Sequence, residues 1–143
     1  MASADVDRVF DQWATAWASH DAEKVVALFT DDCMFEDVTF ELIVRGKEQL
    51  RGIISAVFTA IPDVTFDVTG RVAGREGAAI EWMMSGTHEG DLPGLPATGK
   101  RFAVRGTTIL ELREGKISRE SDYWDAVTFM KQVGLLKAEP QVP

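Results

Sequence analysis

Cysteine is almost absent from this 143-residue sequence: Cys33 stands alone, so no internal disulfide can brace the fold, and a reducing compartment is the simplest expectation. Histidine is nearly as scarce. His20 and His88 lie far apart in sequence and far from Cys33, without the spacing of a ligand set, so neither a metal nor another cofactor is expected. No run approaches the ~18 apolar residues needed to span a bilayer. Positive charge is also in short supply: 15 Lys and Arg face 23 Asp and Glu, for a formal net charge of −8 and a pI near 4.7. Phosphate backbones and anionic lipid would repel such a surface, which argues against nucleic-acid and membrane partners. Glycine-rich phosphate loops and serine-elbow motifs are missing as well. The opening residues, Met1 to Asp7, carry neither the basic nor the apolar segment of a signal peptide, and a cytoplasmic location is expected.

What is present is a core. A 45% hydrophobic content over this length is enough for one domain with a sizeable interior and too little chain for two. Val6, Val9, Phe10, Trp13 and Trp17 recur at helical spacing and predict a first helix. Asp21 is placed to cap a short second helix through Val25, Val26, Leu28 and Phe29, after which Cys33 to Val38 reads as a short strand running into a loop. Gly46 opens a third helix with Leu50, Ile53, Ile54, Val57, Phe58 and Ile61 on its buried face, and Pro62 stops it.

The period then changes to two. Val64, Phe66 and Val68 alternate with polar residues, and after a glycine-rich turn Ile80, Trp82, Met84, Gly86 and His88 share one strand face. Glu89 to Gly99 is a loop or flap. Arg101 to Leu112 returns as a strand with Phe102, Val104, Thr108 and Leu110 on one side, and Arg113-Glu114-Gly115-Lys116 turns it into a last strand from Ile117 to Trp124. Asp125 caps a final helix with Val127, Met130 and Val133 inward, and Gly134 ends it.

One residue stands out against this pattern. Strand parity places Asp122 on the same phase as Trp82, Met84, Val104, Thr108, Leu110 and Trp124, provided no bulge intervenes. A carboxylate aimed into an apolar, tryptophan-rich interior is costly unless paired, hydrogen-bonded or protonated, and such groups mark functional sites. Pairing with Arg119, Arg105 or Lys100, or capping the last helix, is the plain alternative. For His88 it is a loop-bonding role, for Asp37 a polar turn, and for Trp13, Trp17, Trp82 and Trp124 ordinary core packing.

Four segments carry a wider resemblance: Ala27-Leu28-Phe29-Thr30-Asp31-Asp32 with Phe35-Glu36-Asp37, Gly86-Thr87-His88-Glu89-Gly90, Pro96-Ala97-Thr98-Gly99-Lys100, and Gly115-Lys116-Ile117 leading to Asp122-Tyr123-Trp124-Asp125. Together they resemble the nuclear transport factor 2-like superfamily, which includes SnoaL-like polyketide cyclases, ketosteroid isomerases and limonene epoxide hydrolases. The resemblance implies an α+β roll, also called cystatin-like, in which a cone-shaped bent antiparallel sheet wraps three N-terminal helices and a short C-terminal helix follows. A single SnoaL-like domain would span residues 1–136, with a flexible tail over 137–143. It also implies a homodimer through the outer sheet face, where Met83, Ile109, Ile117 and Tyr123 are suited to a contact.

The members of that superfamily differ in chemistry. Glu36-Asp37 resembles the pair that supplies the isomerase base, but the positions of its oxyanion donors hold Trp13 and Gly106-Thr107-Thr108. Asp122 resembles one of the epoxide hydrolase acids, while Trp82 and Met84 stand where its partners would be. Asp122 also resembles the acid/base of the SnoaL-like cyclases, with His88 as the assisting histidine. The implied activity is cofactor-independent acid/base catalysis, aldol-type cyclisation or isomerisation, on a small hydrophobic carbonyl substrate. Asp122, His88 and Asp37 are the catalytic candidates. Trp13, Trp17, Phe35, Phe58, Trp82, Met84, Val104, Thr108 and Trp124 are the candidate substrate wall. A noncatalytic hydrophobic-ligand-binding or dimerisation module is the alternative, and an epoxide hydrolase-like enzyme with an altered site is a second.

Overall fold

A computed structural model describes residues 3–137. Helix α1 (Ser3–Ala18) is followed by a one-turn α2 (Ala22–Val26), strands β1 (Phe29–Asp37) and β2 (Leu42–Arg45), and helix α3 (Gly46–Ala60). Four long strands come next: β3 (Thr65–Ala73), β4 (Gly77–Thr87), β5 (Arg101–Arg113) and β6 (Lys116–Trp124). Helix α4 (Ala126–Gln132) closes the chain. The expected tail over 137–143 lies, apart from Lys137, outside the described residues. No described helix is long and apolar enough to cross a membrane.

All six strands form one sheet in the order β2-β1-β6-β5-β4-β3. The pairs are antiparallel except β1 with β6, which run parallel in the otherwise antiparallel sheet. Antiparallel neighbours can be joined by a tight turn, and β5–β6 is: Glu114 and Gly115 take positive φ (52° and 79°) in a two-residue loop. The β1–β6 pair joins segments from opposite ends of the chain, so no local pattern announces it. Helix stripes and the inner sheet face meet in one core. Phe10, Trp13, Leu50, Ile54, Phe29, Ile80, Leu110 and Phe129 are almost completely buried there.

The structure moves four local expectations. Phe29 begins β1 instead of ending the second helix, because α2 stops at Val26. The four-residue β2 emerges from a stretch with no clear strand pattern. In α4 the buried stripe is Phe129 and Val133, while Val127 is 51% exposed on the opposite side of the helix.

Ile117, expected on the outer face, is fully buried. The β5–β6 register slips between Glu111↔Arg119 and Leu112↔Ile117, a one-residue bulge in β6. The bulge switches the inward phase from Ile117 to Glu120 and Asp122. Met83 and Ile109 remain half-buried and Tyr123 41% exposed.

Gly106 is needed for packing, not for a turn. A Cβ there would sit 2.3 Å from Trp82 Cη2 and 2.8 Å from the Tyr123 carbonyl oxygen, so the indole of Trp82 lies directly over the bare backbone of β5. Gly106→Ala is expected to displace Trp82 and to cost about 1–3 kcal/mol in chemical denaturation. A variant as stable as wild type, with an unchanged tryptophan emission spectrum, would contradict that close approach.

Candidate active site

The open end of the cone is a pocket lined mainly by carbon. Six aromatic side chains, Trp17, Phe35, Phe40, Phe66, Trp82 and Trp124, supply much of its wall, and α3 adds Ile53, Val57 and Ile61. Among the described residues the polar exceptions are three carboxylates, Asp37, Asp91 and Asp122, with no Lys, Arg or His in the lining.

Asp122 reaches the pocket because it is on the inward phase of β6 after the bulge. Its cross-strand neighbours are Thr108 on β5 and Asp37 on β1. The Thr108 hydroxyl donates to Asp122 Oδ1 at 2.7 Å, and the same hydroxyl accepts from Trp82 Nε1 at 2.9 Å. The three residues form a chain of donors ending on the carboxylate, which fixes its orientation. None of the cationic pairings that would make Asp122 a plain ion-pair residue is present between it and the two arginines: Arg119 pairs with Glu111 and Arg105 with Glu81. Burial raises the Asp122 carboxyl from its ordinary 3.8 to about 7, against the opposing pull of its polar neighbours Glu120 and Thr108.

Asp37 ends β1 beside it. The Asp37 carboxylate accepts from Phe40 N at 3.1 Å and from Trp124 Nε1 at 3.2 and 3.3 Å, so the acid orients the Trp124 ring that walls the pocket. Burial raises the Asp37 carboxyl too, while these donors hold it down. Trp124 is also wedged edge-on between Phe40 and Phe129, with centroids 5.3 and 5.6 Å away.

A third acid was missed by the sequence reasoning. Glu120 is fully buried behind the pocket, accepts from Trp13 Nε1 at 3.2 Å, and is pushed well above the usual carboxylate range by burial and by the neighbouring Asp122. Its parity was the signal that could have found it, since it stands two residues before Asp122 on the same strand phase.

A profile for SnoaL-like polyketide cyclases matches residues 7–133, almost the whole described chain. The chain belongs to the SnoaL-like polyketide cyclase family. No curated relative matches it at sequence level. Among solved structures, TsrD from Streptomyces laurentii is similar at 21% identity and TM-score 0.83, over 95% of this chain and 99% of that one. A protein with a ketosteroid isomerase-like fold from Catenulispora acidiphila, in complex with trimethylamine, is 24% identical at TM-score 0.80, over 92% of this chain and 97% of the other. IdmH from Streptomyces antibioticus is 24% identical at TM-score 0.75, over 90% and 97%. At these identities the likeness establishes the shared fold.

Of the catalytic candidates of this SnoaL-like chain, Asp122 and Asp37 lie together in the pocket and His88 does not. His88 follows the last residue of β4 and is fully buried under α4. Its Nδ1 is 3.1 Å from Thr98 Oγ1, its ring packs against Phe129 at 5.1 Å, and its backbone is bonded to Thr98, Gly99 and Lys100. The strand parity of His88 is inward, but beyond the strand end inward means toward α4, not toward the cone.

The candidate wall divides similarly. Trp17, Phe35, Trp82, Met84 and Trp124 line the pocket. Trp13, Phe58, Val104 and Thr108 are not in its lining. Trp13 and Val104 are core, the Phe58 ring lies tilted against Trp17 at 5.3 Å, and Thr108 sits beneath Asp122 as its donor. The sequence reasoning also overlooked Asp91, Leu92 and Pro93. They enter the lining from the 89–99 loop, which a Leu92–Leu95 bridge folds back on itself.

The raised Asp122 carboxyl has a consequence for stability. A folded-state value above the unfolded one means that the stabilisation is complete below about pH 4 and is lost as the pH rises through about 7. The exposed acids Asp32, Asp63 and Asp125, held low by hydrogen bonds, act in the opposite direction. They are shared by any Asp122 variant and cancel in a comparison. Asp122→Asn, neutral at every pH, is therefore expected to melt higher than wild type at about pH 8, by an amount on the order of a few kcal/mol, with the gap closing at about pH 4. Parallel melting curves across that range would show that Asp122 does not titrate in this way.

Proposed function

We propose that this SnoaL-like protein is a cofactor-independent acid/base enzyme that closes or isomerises a neutral, hydrophobic carbonyl compound, with Asp122 as the acid/base. The reading rests on one observation: the deepest acid of an aromatic pocket is held by Thr108 and Trp82, with its carboxyl near neutrality, where a group can both take and return a proton. In an aldol closure Asp122 removes a proton from the carbon beside a carbonyl, and the C–H electron pair passes to that carbonyl oxygen as an enolate. The enolate carbon attacks a second carbonyl of the same molecule; its π pair moves to oxygen, and Asp122 returns the proton to that alkoxide. Atoms and charge balance without a co-reactant.

The lining also sets the substrate's charge. Three carboxylates and no cation disfavour an anionic ligand, and at close range in a partly dry pocket one unfavourable charge contact costs at least about 1.4 kcal/mol, or about tenfold in affinity. Trp17, Trp82 and Trp124 report directly on occupancy through their fluorescence. Neutral aromatic ketones are expected to quench it, and carboxylates of the same size to bind about tenfold more weakly. Equal or tighter binding of the carboxylates would overturn the neutral-substrate reading.

A further inference from the structure

Glu120 is a buried acid that this chemistry leaves without a task. Its Oε1 accepts from Trp13 Nε1 at 3.2 Å, and its Oε2, also buried, has no donor in reach among the described residues. An ionised Glu120 would place a full charge in an apolar core with a single hydrogen bond, next to a second carboxylate on the same strand face, a cost of several kcal/mol. A proton on Oε2 removes the charge and turns the orphaned acceptor into a donor. The carboxylate facing it is Asp122, two residues further along the same face of β6, with no bulge between them. The other titratable groups facing the pair are Cys33 and Asp37, both on β1 and neither a cation.

We propose that Glu120 and Asp122 form a carboxyl dyad sharing one proton at neutral pH, in which Glu120 is a positioning residue that donates to Asp122 and Trp13 fixes the orientation of Glu120. The dyad is a property of the resting protein; only its catalytic consequence rests on the acid/base reading above. That consequence is simple. When Asp122 takes a proton from substrate the dyad passes from one proton to two and the pocket floor becomes neutral; when it returns the proton the single charge is restored. Glu120 keeps its own proton throughout and never touches substrate. The base therefore works with a hydrogen bond on each side, from Thr108 and from Glu120, and with its proton partner sealed from water.

Infrared spectroscopy of the whole protein at about pH 9, where isolated carboxyls are ionised, tests this. Wild type is expected to show a protonated-carboxyl C=O band that Asp122→Asn retains and Glu120→Gln loses. Glutamine fits the site, since its amide oxygen can accept from Trp13 and its amide N–H can donate to Asp122. Trp13→Phe, which removes the donor to the C=O oxygen, is expected to shift the band to higher frequency. No such band in wild type, or its survival in Glu120→Gln, overturns the dyad; an unmoved band in Trp13→Phe overturns the role of Trp13. The pH midpoint of ligand binding supplies the positioning readout. Glu120→Gln should leave it near wild type, whereas Glu120→Leu, which donates nothing, should raise it by about one unit, and an unmoved midpoint there removes the positioning role. A band without turnover would keep the dyad and discard the acid/base reading; turnover without the band would do the reverse.

Discussion

Asp122→Asn is expected to lower turnover of a carbonyl substrate by about 10²–10⁴-fold while leaving its binding within a few-fold of wild type. The substitution keeps the shape of the side chain, and the asparagine oxygen can still accept from Thr108, so the pocket wall formed by Trp82 and Trp124 is undisturbed. What it removes is the ability to hold and release a proton. Loss of kcat with an unchanged dissociation constant, measured by single-turnover kinetics and tryptophan quenching on the same ligand, is the signature of a group that acts in the transition state. Full turnover in the variant would remove Asp122 from the mechanism and leave the pocket as a binding site. A proportional loss of binding and turnover would instead make it a docking contact. Asp37→Asn is a useful contrast: Asp37 orients Trp124 through its indole N–H, and an asparagine oxygen can keep that contact.

Phe129→Ala should be the most destabilising single truncation in the capping helix, costing about 3–5 kcal/mol in denaturant unfolding. The ring is fully buried and is the meeting point of three elements: His88 after β4 at 5.1 Å, Phe102 on β5 at 4.7 Å and Trp124 at the end of β6 at 5.6 Å. Removing it leaves a cavity that a seven-residue helix cannot collapse into without pulling on Asp125, whose carboxylate caps that helix at the Thr128 amide, 3.0 Å away. The same loss frees one side of Trp124, so ligand affinity should fall along with stability. A cost below about 1 kcal/mol would mean that α4 packs loosely and that His88 is held by its loop alone. For a protein whose total stability is on the order of 5–15 kcal/mol, the expected loss is a large share.

The helices and the long strands were legible because their signals are local. The Val6–Trp17 and Leu50–Ile61 stripes and the alternation through Trp82–Gly86 each repeat a period that one element fixes by itself. The inward aim of Asp122 was legible for the same reason, since the bulge lies before it and leaves the Glu120–Trp124 phase intact. Ile117 was misplaced because that bulge is decided by pairing with β5, not by residues of β6 alone, whereas Glu120, on the same phase as Asp122, was passed over. His88 was misplaced because strand parity was carried one residue past the end of β4, where the neighbour changes from the cone to α4.

The sequence by itself determined the class of fold, the family and the presence of an inward acid among tryptophans, because each depends on side-chain periodicity and on motifs a few residues long. The tertiary structure alone decided which residues meet Asp122 across strands. Asp37 comes to Asp122 through the parallel β1–β6 pairing and Thr108 through the β5 register, while Glu120 already stands two residues away on the same strand face. The two cross-strand contacts depend on segments distant in sequence, whose burial sets the protonation of the group between them.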